Sequence, residues 1–165
     1  MRVAAKKIRR TRAPGALAIE QTADRELIAR MLNEAAIAPA PDAPGACFVV
    51  AYLGDEAVGL AGVECKVDVA MMTALWVRAP LRGRGIGTAL LAAARLAAHT
   101  RGARRLYAIA EELAGGWLLR RGFSAAPAAT IIAAMAGAAR AGAMTGEIVW
   151  RGFALDISGD GIIER

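Results

Sequence analysis

Histidine is almost missing from this chain. His99 stands alone, and no Cys-x-x-Cys pair accompanies it. A transition-metal site needs several such ligands at short spacing, so the sequence points away from metal chemistry. Cysteine is scarce as well. Cys47 and Cys65 make no disulfide framework, which fits a cytoplasmic protein with reduced thiols. Aromatic residues are only 5% of a chain that is 56% hydrophobic. The core must therefore be built from Ala, Leu, Ile and Val. No apolar run reaches the ~18 residues that read as a membrane span. The longest candidate, 125–139, is alanine-rich and too short. The basic start is not followed by a compact apolar segment and cleavage site, so no secretory leader is expected.

Acid is missing from one end. Arg2, Lys6, Lys7, Arg9, Arg10 and Arg12 precede Pro14 with no acid among them, and these six charges equal the whole net charge of +6. The rest of the chain is balanced. Such a tail is usually a solvated arm. It has no interleaved aromatic side chains to stack on bases, so a nucleic-acid partner is not expected. The 165 residues suit one domain: a basic tail over 1–14 and a single domain over 15–165.

What is present is a readable order of elements. Ala16-Leu17-Ala18-Ile19-Glu20 reads as a strand. Thr22 is the expected N-cap of a helix, with Leu27, Ile28, Met31 and Leu32 on its apolar face. The proline-rich stretch 38–45 must be loop. Two strands, Cys47 to Tyr52 and Ala57 to Cys65, flank a Gly54-Asp55 turn. A third strand runs to Val77. Three strands joined by short turns run antiparallel. A helix through Ala98, ended by Gly102, leads to a strand from Arg105 to Ala110, which can lie parallel to its predecessor. A short helix carries Trp117, Leu118 and Leu119 and is capped by Gly122. A helix from Thr130 to Arg140 and a strand from Glu147 to Leu155 close the chain.

The densest signal is Arg82-Gly83-Arg84-Gly85-Ile86-Gly87. A strand-like run ending at Val77 precedes it, and an apolar helix beginning with Thr88 follows. A strand, a glycine-rich turn and a helix leave several N–H groups exposed at a helix N-terminus, with a partial positive charge. That is a ready phosphate site. The glycines allow close backbone approach, and Arg82 and Arg84 add full charge. The spacing does not fit G-x-G-x-x-G, and Gly87-Thr88 lacks the lysine of a P-loop.

Arg/Gln-x-x-Gly-x-Gly/Ala does fit, with Arg82, Gly85 and Gly87. This resembles the pyrophosphate-binding motif of the GNAT superfamily of acetyl-CoA-dependent N-acetyltransferases. Leu75-Trp76-Val77-Arg78-Ala79-Pro80 is similar to the strand that enters that motif, and Leu118 to Phe123 to the later helix that ends in Gly-Phe. The resemblance implies an α/β (α+β) fold: a mixed, mostly antiparallel central sheet flanked by helices, with two parallel central strands splayed apart. It implies acetyl-CoA or coenzyme A as cofactor. Leu75, Trp76 and Val77 would pair with the pantetheine arm like an added strand, and Arg82, Gly83, Arg84, Gly85, Ile86, Gly87 and Thr88 would hold the pyrophosphate.

The implied chemistry is acetyl transfer to the primary amine of a small molecule. The Val77 N–H is the candidate oxyanion donor; one such donor is typically worth ~3–4 kcal/mol. A lysine-like amine titrates near ~10, so a base must take its proton, directly or through water. Glu64 ends an otherwise apolar strand, either facing a pocket or marking a solvated strand end. Glu111 falls where many family members carry Asn near the cofactor and would hold water or a neighbour. Asp68 and Glu112 are further carboxylates, the latter a helix N-terminal charge. The family's thiol-protonating tyrosine position is Leu118 here. Tyr107 or Tyr52 would have to substitute, or no side chain does. The loop at 38–45 is a lid over the acceptor pocket or a plain connector.

Val58 to Glu64 and Val69 to Val77 also resemble a small arsenic-resistance branch, similar to the acetyltransferase part of N-acetylglutamate synthases. That likeness implies an amino-acid-like acceptor. Thr73 and Ala74 depart from it, standing where the branch tends to have Arg-Ser. A coenzyme A-binding module without transferase activity and a transferase acting on a protein N-terminus or lysine are the alternatives. By analogy with relatives, a homodimer would pair through residues 147–155, which include Trp150.

Overall fold

The computed structural model describes residues 13–38, 42–135 and 151–158. In chain order the elements are β1 (Leu17–Thr22), α1 (Arg25–Glu34), β2 (Ala46–Leu53), β3 (Glu56–Lys66), β4 (Val69–Val77), a 3-10 turn (Ala79–Leu81), α2 (Ile86–Thr100), β5 (Arg105–Ala110), α3 (Glu112–Leu119), β6 (Ser124–Ala126), α4 (Ala128–Ala134) and β7 (Arg151–Asp156). They form one mixed sheet of order β1-β2-β3-β4-β5-β7-β6 among the described residues. Only the β4–β5 pairing is parallel. The expected mixed, mostly antiparallel sheet flanked by helices is present.

The helices divide between the two faces. On one face Leu90, Leu91, Ala94, Ala97 and Ala98 of α2 pack with Leu118 of α3 against Val49, Ala61, Val63 and Phe153. On the other, Ile28, Met31 and Leu32 of α1 cover Phe48, Val50, Leu60 and Ala74. Beside them Ile131 and Met135 cover Met71 and Tyr107. The low aromatic content shows in the packing: α2 contributes three buried alanines, which let the helix lie close to the sheet.

Three details differ from the sequence expectation. The N-cap of α1 is Asp24, whose side chain accepts from the Leu27 N–H. Thr22 instead ends β1, and its hydroxyl accepts from the Asp24 N–H. Both residue types cap well, and strand pairing as far as Thr22–Phe48 decides between them. A strand, β6, lies at the start of the alanine-rich stretch, where none was expected. Pro127, with φ −60°, follows it. Proline pushes the preceding residue toward extended backbone, and Ala126 pairs with Gly152 of β7. The helix beyond starts at Ala128. The rest of the expected helix to Arg140, and residues 147–150 of the expected last strand, lie outside the described residues, as do most of the basic tail and 39–41 of the loop.

β4 is the pivot of the molecule. It pairs with β3 from Lys66–Val69 to Gly59–Val77, with a bulge that leaves Thr73 between the Ala74–Gly62 and Met72–Val63 pairs. With β5 it pairs only from Val69–Arg105 to Met71–Tyr107. Beyond that point the two parallel strands separate.

Candidate functional site

The separation leaves part of β4 with an open side. The Arg78 N–H donates to the Val58 carbonyl at 2.9 Å, so Arg78 faces β3. Backbone groups of a strand alternate in direction. The N–H and C=O of Val77 and Leu75 therefore turn away from β3, into the gap beyond the last β5 pair. Arg82 confirms this direction: its Nε donates to the Val77 carbonyl at 2.9 Å.

The gap is the floor of a cleft of about 980 Å³. Thr73, Leu75 and Val77 form one wall, Ala108 and Ala110 the other, and Trp117 and Leu118 of α3 close one side. Ile37, just after α1, also reaches it, so the segment that follows α1 borders the cleft. Leu113 stands on its rim with 92% of its surface exposed.

The glycine turn sits at the mouth. Gly85 is the N-cap of α2, has φ +80°, and no side chain caps the helix. The N–H groups of the first turn are thus open to a ligand. A Cβ added at Gly83 or Gly85 would meet nothing within 4 Å. Positive φ, not crowding, is what calls for glycine at these two positions, and the turn is not sealed beneath side chains. Arg82, Gly83, Gly85, Gly87 and Thr88 line the cleft. Arg84 is exposed, and the Ile86 side chain is buried in the core beneath the turn.

The candidate catalytic residues fall at different levels. Glu111 lines the cleft at the start of α3. Counted from the Met71–Tyr107 pair, it lies four residues further on, level with Leu75 across the gap. Glu64 lies deeper, opposite Met71 and Ala46. It is 6% exposed, the one buried charged residue among those described. It shares the α1 face with Gly62, where a Cβ would fall 2.6 Å from the Phe48 ring and 2.8 Å from the Thr73 hydroxyl. Glycine therefore keeps that position small, between Glu64 and the bulge at the foot of the split. Val77 is six residues along β4 from the level of Glu64, about 20 Å at 3.3 Å per residue. These two do not meet at one atom.

No tyrosine is among the residues lining the cleft. Tyr107 is buried against Met71, Ile131 and Met135, and its hydroxyl engages Arg105, raising that guanidinium above its usual value. Tyr52 packs toward α1. His99 is exposed near the far end of α2. Asp68 lies in the turn between β3 and β4, at the opposite end of β4 from the glycine turn.

One residue at the mouth was not anticipated. Arg121 donates from Nε and Nη2 to the Thr88 hydroxyl, at 3.2 and 2.9 Å. Its Nη1 donates to the Trp117 carbonyl at 3.2 Å, and its Cζ lies 3.6 Å from the Trp117 ring centroid. Spacing along the chain does not announce this contact, because Thr88 and Arg121 are 33 residues apart. Only the packing of the turn after α3 against the first turn of α2 joins them.

The turn, the open strand edge and the parallel split together match the sequence resemblance, and residues 44–125 match the acetyltransferase (GNAT) domain family. The protein carries a GNAT acetyltransferase domain. Solved structures share its fold. A Klebsiella pneumoniae protein proposed to be an acyl-CoA N-acyltransferase superposes with TM-score 0.65 and 18% identity, over 87% of this chain and 99% of that one. An acetyltransferase of the GNAT family from Staphylococcus aureus gives 0.60 and 15%, over 86% and 99%. The Neisseria gonorrhoeae N-acetylglutamate synthase, solved with coenzyme A and N-acetylglutamate, gives 0.63 and 19% over 88% of this chain but only 36% of that one. No curated protein matches the sequence. In this GNAT domain no described helix is long and apolar enough to cross a membrane.

Proposed function

We propose that the protein transfers an acetyl group from acetyl-CoA to the primary amine of a small, amino-acid-like molecule, with both bound at once. The observation that carries this reading is the split itself. Pairing between β4 and β5 stops at Met71–Tyr107, and the backbone left open by it leads to an uncapped helix N-terminus. A ligand with amides along one part and a diphosphate at its end fits that surface. Leu75 and Val77 would pair with the pantetheine amides as an added strand does. The first-turn N–H groups of α2, with Arg82 and Arg84, would hold the diphosphate. Acetyl-CoA supplies the acyl group as an activated thioester, and the protein residues supply the rest.

Two of those residues act on the carbonyl and the amine proton. The N–H that stabilises the oxyanion and the group that takes the amine proton must converge on one carbon. Val77 lies beside the diphosphate turn. Leu75, two residues deeper and level with Glu111, brings its N–H closer to Glu64, so the two N–H groups form a short ladder of donors. Glu64 is the proposed base, acting through water, because its level on β4 is four residues from Leu75, about 13 Å. Glu111 holds water at the cleft wall. With no phenol in the described lining, the thiolate departs unaided, which a thiol pKa near ~8.5 permits.

The second reading is a domain that binds coenzyme A without transferring, and Leu118 in the tyrosine position favours it. Thiol release from acetyl-CoA, followed across amino acids, polyamines and peptides, separates the two. Amine-dependent release with an amino acid is the expected result. Binding of coenzyme A without release for any amine would overturn transfer, and release only with peptides would overturn the small acceptor.

A further inference from the structure

Arg121 occupies an electrostatically awkward place. It follows α3 in a turn pinned by bonds from the Arg121 and Phe123 N–H groups to the Leu118 carbonyl, with Gly122 at φ +88° and Phe123 buried. This turn aims the side chain at the first turn of α2. The charged head rests on a hydroxyl, a carbonyl and an indole face, all neutral. Among the described residues no carboxylate pairs with it. It stands beside Thr88, the third residue of α2, where the helix already presents positive partial charge. Arg82 at the same mouth is committed through Nε to Val77. Burial first, and then Arg120 next door, hold the Arg121 guanidinium below its usual pKa.

Three of its five N–H groups are engaged and two remain. A diphosphate on the first-turn N–H groups of α2 would sit next to the Thr88 hydroxyl that Arg121 now holds. We propose that Arg121, stacked on Trp117, is a diphosphate-binding residue of the cofactor site, bridging α3 to the anion on α2. This rests on the coenzyme A reading above. It adds a side-chain anchor from outside the glycine motif, and it couples cofactor binding to Trp117, which walls the cleft.

Calorimetric titration of the folded, full-length protein tests it, with coenzyme A, 3′-dephospho-coenzyme A and pantetheine as ligands. Arg121→Met keeps an apolar stem over Trp117 but removes the charge. It is expected to weaken both nucleotide ligands by the same factor, about tenfold to a hundredfold, and to leave pantetheine within about twofold of the wild-type value. Arg121→Lys restores part of the loss, since a point charge replaces a planar fork. Unchanged coenzyme A affinity in Arg121→Met overturns the proposal. So does an equal loss for all three ligands, which would mark a structural role. A loss confined to coenzyme A, spared in the 3′-dephospho form, also overturns it, because the 3′-phosphate would then be the partner. If Arg121→Met does not fold, the lysine variant decides alone by the same ratios. Wild-type protein that binds none of the three would sink the coenzyme A reading itself.

Discussion

β4 has two neighbours and meets them in opposite ways. Against β3 it is paired from end to end apart from the bulge at Thr73. Against β5 it is paired for three residues and then released. The burial of β4 follows: Ala70 and Met71 are buried at the paired end, whereas Leu75, Trp76 and Val77 are only partly covered. A strand inside a sheet ordinarily satisfies its polar backbone on both sides. Here the upper half leaves one row of N–H and C=O groups without a strand partner among the described residues. One of them, the Val77 carbonyl, is taken by Arg82. The zipped end holds the fold, and the open end is available to a ligand.

Substitutions can sharpen that contrast. At the open end, Gly85→Asp should leave no measurable coenzyme A binding by calorimetry. It forces a side chain to φ +80° and brings a carboxylate against the diphosphate. Near-native affinity in a folded variant would break the assignment of the turn. Gly87→Asp isolates the charge, because a Cβ there makes only ordinary contacts with Trp117 and Val77, at 3.6 and 3.8 Å.

At the foot of the split, Glu64→Gln should lower turnover by about 10²–10⁴ with coenzyme A affinity unchanged. Equal turnover at neutral pH would remove Glu64 from the mechanism, and Glu111→Gln, expected to cost less, would then be the next test. At the zipped end, Leu106→Ala should cost about 2–5 kcal/mol of stability, read by denaturant unfolding, since Leu106 is fully buried beside its Ala70 partner. A loss well under 1 kcal/mol would mean that this end is not the anchor it is taken to be.

The smallest effect is expected at the surface. Arg78, just past β4, pairs with Glu34 and Glu56. Its hydrogen bond is the main cause that holds the Glu34 carboxyl below its usual value. A lowered carboxylate stabilises the fold above its unfolded pKa, and that contribution fades as pH falls through the folded value. Arg78→Ala should therefore cost under about 1 kcal/mol at neutral pH. The difference from wild type should start to shrink as pH falls below about 4.3 and vanish once it passes below the lowered folded value. A difference that persisted there would assign the loss to packing.

Much of the open end could be read from residues close in sequence. Gly83, Gly85 and Gly87 between a strand and an apolar helix announce a turn that leaves the helix N–H groups uncapped, because those groups belong to consecutive residues. The β2–β3 turn at Gly54-Asp55 is legible for the same reason. Tyr107 was less so: strand alternation alone does not say that its hydroxyl meets Arg105 rather than the cleft. β6 was hidden because alanine favours helix by itself, and only pairing with β7 makes Ser124–Ala126 a strand.

The amino-acid order alone determined the glycine turn, the helix it starts, the antiparallel run from β2 to β4 and the alanine-rich, aromatic-poor core, all of which follow from local backbone preference, short-range periodicity and composition. Tertiary structure decided where β4 and β5 part, that Thr73 bulges there, that Glu64 is buried beside the foot of the split, and that Arg121 crosses from α3 to Thr88. Each of those depends on contacts between segments tens of residues apart, whose register no local pattern encodes.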